Sequence, residues 1–233
     1  MSDPVRRFYK TARVADDGAG VMLDERRLRT PKGAPLSAPS RALAEAVAAE
    51  WDAQEQHILP ASMPLTQLAF AAIDHTPARR DSLTDYVTKF AETDLVAHRA
   101  EGPAPLVARQ AAHWDPVIAW GARALGATLP VVAGVTPVRT HGAAIDVLRS
   151  HAAALDDFHL TALAQATGLA GSALIAFALL RGELSAARAF EAALLDELYQ
   201  LESWGEDAEA RARVERTRAE FASLEAFIRL VDS

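Results

Sequence analysis

The stretch "GSALIAFALL", Gly171 to Leu180, is so rich in apolar residues that a helix formed from it would have no polar face to present to water. A helix that is apolar on every side lies inside a protein or a membrane. The stretch is much shorter than the roughly 20 residues that a membrane span needs. We therefore expect a buried helix at the centre of a helical bundle, and no membrane insertion.

Helical patterns continue to the end of the chain. About four or five helices are expected after His141, with Gly168, Gly182 and Gly205 at their ends, where glycine commonly forms a C-terminal cap. The last helix is the most regular, because its apolar stripe recurs at helical spacing and should pack on a neighbour. The stripe consists of Val214, Thr217, Phe221, Leu224, Ile228 and Val231.

Prolines indicate where the earlier helices begin. Pro39 suits the first turn of a helix that runs to about Gln56, and Pro64 suits the first turn of a second. Thr76 followed by Pro77 is a typical cap and first turn for a third helix.

Two segments further along are predicted to depart from this helical pattern. Asp115-Pro116 should end one helix and begin another, because proline disfavours helical geometry at the preceding residue. The segment "LPVVAGVTP", near Val131, is typical of a lone strand.

The first third of the chain has a different pattern. "RRFYKTARV" and "GVMLDERRLRT" are short and partly alternating, and turn residues such as Asp17-Gly18 and Pro31 surround them. They predict two or three short strands in hairpins. So little sheet needs helices on one face to be stable, which makes the expected fold class α+β.

Composition excludes several classes of function. The chain of 233 residues has no cysteine, so disulfides, cysteine-bound metals and thiol nucleophiles are excluded. Its net charge of -7 argues against a nucleic-acid binder. The opening "MSDPVRRFYK" lacks the apolar run of a secretory signal, and we expect a cytoplasmic protein.

Motifs for chemistry are missing from the sequence. It contains no phosphate-binding loop, no Gly-x-Ser-x-Gly elbow and no His-Glu-x-x-His pair. His113 and Asp115 are two residues apart, a spacing that does not place both on one helix face. We expect no enzyme, no cofactor and no metal. A hydrolase that uses a dispersed set around His113 and Asp115 is the less favoured alternative, beside a helical adaptor with some other protein client.

Several stretches, taken in order, resemble one family. They include "RALAEAVAAEWDAQ" from Arg41, "MPLTQLAFAAID" from Met63, "ETDLVAHRA" from Glu92 and "LDELYQLESWGEDAEARAR" from Leu195. The series resembles the chaperones that assemble the catalytic sector of F-type ATP synthase, in particular the member that handles the alpha subunit. The resemblance implies an N-terminal domain of strands covered by helices, 1–76, and a mainly α orthogonal bundle, 77–233. It also implies the unassembled alpha subunit as client, and no enzymatic activity. Separately, we expect a monomer when free, because the sequence has no long unpaired apolar repeat.

The resemblance further implies that the glutamate of the Trp-Gly-Glu corner, here Glu206, matters for the chaperone function. Glu206 follows a helix-ending glycine and precedes Asp207, which is well placed to cap the next helix. Trp204 could give this charge an apolar platform that recognises a client arginine, or could equally be a core residue. The candidate client-binding residues are Glu206, Trp204, Asp207 and Glu202.

One departure from the family pattern is visible in the first hairpin. The usual Leu-Asp-Gly-Arg reads Leu23-Asp24-Glu25-Arg26 here. Glutamate does not easily adopt positive φ, so we expect a different type of turn.

Overall fold

The computed structural model describes residues 5–134, 140, 142–204 and 208–233. These residues form ten α-helices and five short strands, which confirms the α+β class. The chain divides into two compact units. The first comprises Met1–Arg79, Asp156–Ala162 and Ala226–Ser233, and the second comprises Arg80–Leu155 and Leu163–Glu225. The division into an N-terminal domain, 1–76, and a helical domain, 77–233, stays a prediction.

Three short strands of the first unit form an antiparallel sheet in the order β1-β2-β3. Ala12 of β1 lies opposite Leu23 of β2, and Leu23 in turn lies opposite Arg26 of β3. The hairpins expected from the alternating N-terminal pattern are therefore present. The strands are β1 (Ala12–Val14), β2 (Val21–Leu23) and β3 (Arg26–Arg27).

The turn between β2 and β3 places its unusual backbone at Asp24. Asp24 has φ 51°, and it is the one non-glycine residue with positive φ in the part of the chain that the structure describes. Aspartate tolerates this region better than glutamate does. The Asp24 carboxylate also accepts hydrogen bonds from the backbone N–H groups of Lys10 and Thr11. Asp24 therefore takes the positive φ and Glu25 does not, in line with the expectation that glutamate adopts this conformation with difficulty.

Helices α1 (Arg41–Asp52) and α2 (Pro64–Asp74) belong to the first unit, and α1 packs on β1, β2 and α2. The Ser40 hydroxyl accepts a hydrogen bond from the backbone N–H of Leu43 at 3.0 Å, so Ser40 is the N-cap. The helix therefore begins after Pro39, and the prediction that Pro39 lies in its first turn was wrong. Serine is favoured as the N-cap because its hydroxyl accepts from a backbone N–H that would otherwise be unpaired, and Pro39 therefore precedes the helix.

The remaining strands are two residues long, and the remaining helices make up most of the chain. Helices α6 and α10 each contribute residues to both compact units. The elements are α3 (Arg80–Glu92), β4 (His98–Arg99), α4 (Ala104–Trp120), β5 (Val132–Ala133), α5 (Ala143–Ala153), α6 (Asp157–Ala170), α7 (Ala173–Leu180), α8 (Ala186–Ala193), α9 (Leu195–Trp204) and α10 (Ala208–Val231).

Helix α7 is the predicted central helix of the second unit. All eight of its residues are buried, and it packs against α3, α4 and α8. In α10, the predicted apolar stripe is buried apart from the half-buried Thr217. Both predictions are confirmed. A helix that is apolar on every side is buried all round, and a helix with one apolar stripe is buried along that stripe.

The predicted break at Asp115-Pro116 was wrong. Helix α4 continues through Pro116 to Trp120. Its buried residues Gln110, Trp114, Val117 and Trp120 form one stripe on both sides of the proline. Packing along that stripe offsets the hydrogen bond that proline cannot donate.

Two other helix boundaries differ from prediction. Helix α3 begins at Arg80, because a turn in which the Thr76 carbonyl accepts from the Arg79 N–H comes first. Gly168 lies inside α6, and the chain turns instead at Gly171, with φ 65°. Gly182 has φ 70° just after α7, as a C-terminal glycine should. Gly205 lies outside the described residues.

The segment near Val131 does contain a strand, but this strand is paired with another. Its residues Val132 and Ala133 form β5, which pairs in parallel with His98 and Arg99 of β4.

The number of helices after residue 141 is six in the described chain, more than the four or five predicted. None of the helices described by the structure is both long and apolar enough to cross a membrane.

Candidate functional site

The structure describes only part of the predicted client-binding corner. Glu202 lies in the last turn of α9, and Trp204 is the final residue of that helix. Glu206 and Asp207 lie outside the described residues, and so do the predicted capping role of Asp207 and the predicted presentation of Glu206. The geometry of the site therefore begins with Glu202 and the helices that position it.

Glu202 forms a two-pronged ion pair with Arg109 of α4. The two guanidinium nitrogens of Arg109 donate to the two carboxylate oxygens of Glu202 at 2.6 and 2.8 Å. These hydrogen bonds from Arg109 hold the pKa of Glu202 below its usual value, and they raise the pKa of Arg109. Glu202 is 59% exposed. The pair therefore fixes the direction of an accessible carboxylate, since this geometry is the most restrictive that arginine offers.

Side chains of α4 also hold the region before Glu202, through Gln110 and Trp114. The amide of the buried Gln110 donates to the Asp196 carboxylate at 2.7 Å and accepts from the Ala100 N–H at 2.9 Å. The indole of Trp114 donates to the carbonyl of Ala192 at 2.8 Å. Sequence reasoning did not identify the contacts to Asp196 and Ala192, because each joins residues far apart in the chain. The Gln110–Asp196 bond holds the start of α9, the Arg109–Glu202 pair holds its end, and Trp114 holds the end of α8.

Helix α10, which follows the corner, is tied to the same helices. Arg213 lies 2.7 Å from the carboxylate of Glu197 in α9. The guanidinium of Arg218 lies 4.2 Å from the ring centroid of Phe190 in α8, a cation–π contact. Within α10 itself, Arg218 lies 3.5 Å from the carboxylate of Glu215. Arg213 instead connects α10 to α9.

A buried carboxylate that sequence reasoning missed lies at the start of the central helix. Asp94 is fully buried, and it accepts hydrogen bonds from the backbone N–H groups of Val96 and Leu174. Desolvation raises its pKa to about 6, although these hydrogen bonds act in the opposite direction. Asp94 lies within the family-like "ETDLVAHRA", but the Leu174 N–H that it caps is 80 positions away.

Asp115, one of the two residues named for the alternative hydrolase site, is engaged by an arginine. Asp115 lies 2.8 Å from the guanidinium of Arg99, which also packs over the ring of Trp114. No hydrogen bond joins Asp115 to His113 in the described parts of the chain. Within those same ranges, no group of three or more histidine or acidic residues is arranged to hold a metal ion.

Comparison with known proteins gives consistent matches along the chain. The family described as ATP12 chaperone protein matches residues 6–122. The chain is 39% identical to Atp12 from Paracoccus denitrificans, whose crystal structure superposes with a TM-score of 0.91 over 97% of this chain and 98% of that one. A protein from Agrobacterium tumefaciens is 36% identical, with a TM-score of 0.87, over 98% and 85% of the two chains.

A more distant relative comes from a eukaryote. The chain is 26% identical over 223 residues to the mitochondrial protein atp12 of Schizosaccharomyces pombe, a match that covers 87% of this chain and 75% of the relative. The family match, the sequence identities and the fold agree with the resemblance drawn from the sequence motifs. The chain belongs to the ATP12 chaperone family, whose function is ATP synthase assembly.

Proposed function

We propose that this protein binds the unassembled alpha subunit of the F-type ATP synthase catalytic sector and keeps it from self-association until the beta subunit replaces the chaperone. The observation that carries the proposal is membership of the ATP12 family, with likeness to Paracoccus Atp12 over 97% of the chain. The alpha subunit as client comes from the sequence resemblance to the member of this family that handles it.

The mechanism we propose is holding without ATP. An unassembled alpha subunit exposes apolar surface that is destined for its beta neighbour, and such surface self-associates when it is left free. A chaperone that covers this surface with moderate affinity is displaced when the larger native interface forms. We expect a monomer that acts in the bacterial cytoplasm, with neither an enzymatic step nor a cofactor.

The proposed contact surface is the corner that contains Glu206, Trp204, Asp207 and Glu202. Its support is the anchored helix that leads into it, since Arg109 fixes the carboxylate of Glu202 in the last turn of α9. Because Arg109 already holds the Glu202 side chain in place, binding a client would order fewer side chains and would lose less conformational entropy. In this proposal Glu206 pairs with an arginine on the client, and Trp204 adds apolar contact beside it.

Co-expression with the organism's own alpha subunit, followed by size exclusion, tests the proposal. The wild type should co-elute with the alpha subunit, whereas Glu206→Ala should retain less and Glu206→Lys least, because lysine would face a client arginine. Glu220→Lys is the matched control, since Glu220 is an exposed acid on α10. If both Glu206 variants retain the alpha subunit as well as this control does, the corner is not the contact surface. If the wild type itself does not co-elute, the client is wrong.

A further inference from the structure

We propose that residues 5–10 present an open strand edge to which a short acidic segment of a partner protein adds as one more strand. These residues include the start of the alternating stretch "RRFYKTARV". They belong to the first compact unit and precede β1. The inference is independent of the client named above, because it is drawn from the backbone pairing and the charges of this segment alone.

One edge of the segment is paired and the other is open. Residues 5–7 pair antiparallel with residues 56–58 through two backbone hydrogen bonds, of 2.8 and 3.0 Å. These bonds flank Arg6 and His57, which lie opposite each other. In such a pair each residue directs its own N–H and C=O away from the facing strand. The backbone groups of Arg6 therefore point to the free edge, where no hydrogen bond from the described parts of the chain reaches them.

The exposure of the side chains alternates along the segment. Arg6, Phe8 and Lys10 are exposed, whereas Arg7 is half-buried and Tyr9 is buried. Such alternation is typical of an extended chain with one face toward the protein. Phe8 is 63% exposed, and its ring contacts that of Tyr9 with centroids 5.3 Å apart. The exposed face thus presents a cation, an aromatic ring and a second cation.

The inward side chains hold the fold, whereas the outward cations take little part in it. The Arg7 guanidinium lies 3.2 Å from the Asp52 carboxylate and donates to the carbonyl of Tyr9 at 3.1 Å. The Tyr9 hydroxyl donates to a backbone carbonyl near the end of α1 at 2.7 Å. Neither outward cation makes a side-chain hydrogen bond or an ion pair with a described residue. Asp24 attracts Lys10 at longer range, but its carboxylate accepts from backbone N–H groups.

The two cations determine what the open edge can accept. Opposite charges that face each other across paired strands stabilise the pair, and like charges destabilise it. A second copy paired antiparallel about Phe8 would set Arg6 against Lys10, so these charges disfavour self-association. An extended segment with two acidic residues flanking an apolar one would place a carboxylate near each cation and the apolar side chain near Phe8. Because the chain bends at Lys10, the added strand would be short.

Peptide binding to the full-length protein tests the inference. The probes are two labelled peptides, Thr-Glu-Val-Glu-Val-Glu-Thr and its counterpart with lysine in place of each glutamate, followed by fluorescence anisotropy. The wild type should bind the acidic peptide and not the basic one, and added salt should weaken the binding. The double variant Arg6→Glu, Lys10→Glu should bind the acidic peptide about tenfold more weakly and should gain affinity for the basic one.

The matched control is the double variant Arg181→Glu, Arg188→Glu. Both arginines are exposed, belong to the second compact unit and make no ion pair with a described residue. Their reversal changes the net charge by the same amount, so a general charge effect would appear in both double variants. The control should bind the acidic peptide as tightly as the wild type does. Thermal melts should show that the Arg6→Glu, Lys10→Glu variant remains folded, since its side chains have no ion pair to lose.

Amide hydrogen exchange measured by NMR distinguishes strand addition from simple attraction between charges. An extended chain directs the N–H groups of alternate residues to the same edge. With the acidic peptide bound, the amides of Arg6 and Phe8 should therefore exchange more slowly, because the added strand supplies their acceptors. The Arg7 amide should change little, since it already donates to the carbonyl of Gln56.

Three results would each overturn the inference: a wild type that does not prefer the acidic peptide, an unchanged affinity in the Arg6→Glu, Lys10→Glu variant, or binding without slower exchange at Arg6 and Phe8. A wild type that ignores the acidic peptide but binds phosphatidylglycerol vesicles through the same two cations would assign the face to a membrane surface, which also overturns it. None of these results bears on the alpha subunit as client, which the co-expression experiment decides.

Discussion

The carboxylate of Asp94 caps the central helix α7, because one of its oxygens accepts a hydrogen bond from the backbone N–H of Leu174 at 3.1 Å. The other oxygen accepts from the backbone N–H of Val96 at 3.2 Å. The hydroxyl of Ser172 accepts from the Ile175 N–H at 3.0 Å at the same helix end. A helix end without solvent needs such partners, so Asp94 is what allows α7 to begin in the core.

Asp94→Ala should lower the free energy of unfolding by about 2–5 kcal/mol, because it leaves two buried N–H groups without an acceptor. Urea denaturation followed by circular dichroism measures the change. Asp81→Ala is the control, since Asp81 is an exposed acid in the first turn of α3, and it should cost less than about 1 kcal/mol. Equal losses in the two variants would show that the buried carboxylate has no special role.

The stability should also depend on pH through Asp94. Its pKa is about 6 in the folded protein, above the ordinary value of 3.8, so the folded state binds this proton more tightly than the unfolded chain does. The stabilisation from this proton is full below about pH 4 and is lost as the pH rises through about 6. Between about pH 7.5 and about pH 5 the wild type should therefore gain about 1 kcal/mol from this group.

Asp94→Asn cannot titrate at this position and serves as the reference for that experiment. The difference between the two unfolding curves isolates Asp94 from the histidines, which are common to both proteins. A difference that stays constant across the same pH range would contradict a raised pKa.

Gly121→Ala should destabilise the protein by about 1–3 kcal/mol, because overpacking a filled core forces neighbours to move. A Cβ at Gly121 would lie 2.8 Å from the side chain of Leu174, which is fully buried in α7. At Gly168 the added Cβ would meet the hydroxyl of Tyr86, the outer end of a partly exposed side chain that can move away. Thermal melts should show a clear loss for Gly121→Ala and little or none for Gly168→Ala; the reverse order would contradict the packing described here.

The sequence predicts those elements whose pattern is local. Helix α7 can be recognised because nearly all of its residues are apolar, and α10 can be recognised because its apolar residues recur at helical spacing. The continuation of α4 through Pro116 could not, because it depends on burial of Trp114 and its neighbours against other helices. Strand β5 likewise needs β4, which lies more than 30 positions earlier.

The same distinction applies to the candidate site. The resemblance suggests Glu206, and Glu202 is a candidate beside it. Nothing near Glu202 in the sequence indicates that Arg109, 93 positions away, fixes the direction of its carboxylate. The role of Asp94 is hidden for the same reason. Contacts between residues far apart in the chain are determined by tertiary packing, which residue spacing does not report.

Asp207 and Glu206 should respond differently to substitution. If Asp207 caps α10, Asp207→Ala should cost about 0.5–2 kcal/mol of stability, as loss of an N-cap does. Glu206→Ala should leave the melting temperature nearly unchanged, because a client contact has no role in the free protein. Paired thermal melts measure both. Unfolding of Glu206→Ala would make that residue structural, and the contact surface would then have to lie elsewhere.

The most direct test of the central claim is the aggregation of the alpha subunit itself. Purified alpha subunit is diluted from denaturant without ATP, and light scattering is followed with and without an equimolar amount of this protein. We predict that scattering is suppressed, and that added beta subunit then takes over the alpha subunit and leaves the chaperone free on size exclusion. Scattering that rises equally fast with and without the protein would contradict the proposal that it is an alpha-subunit chaperone.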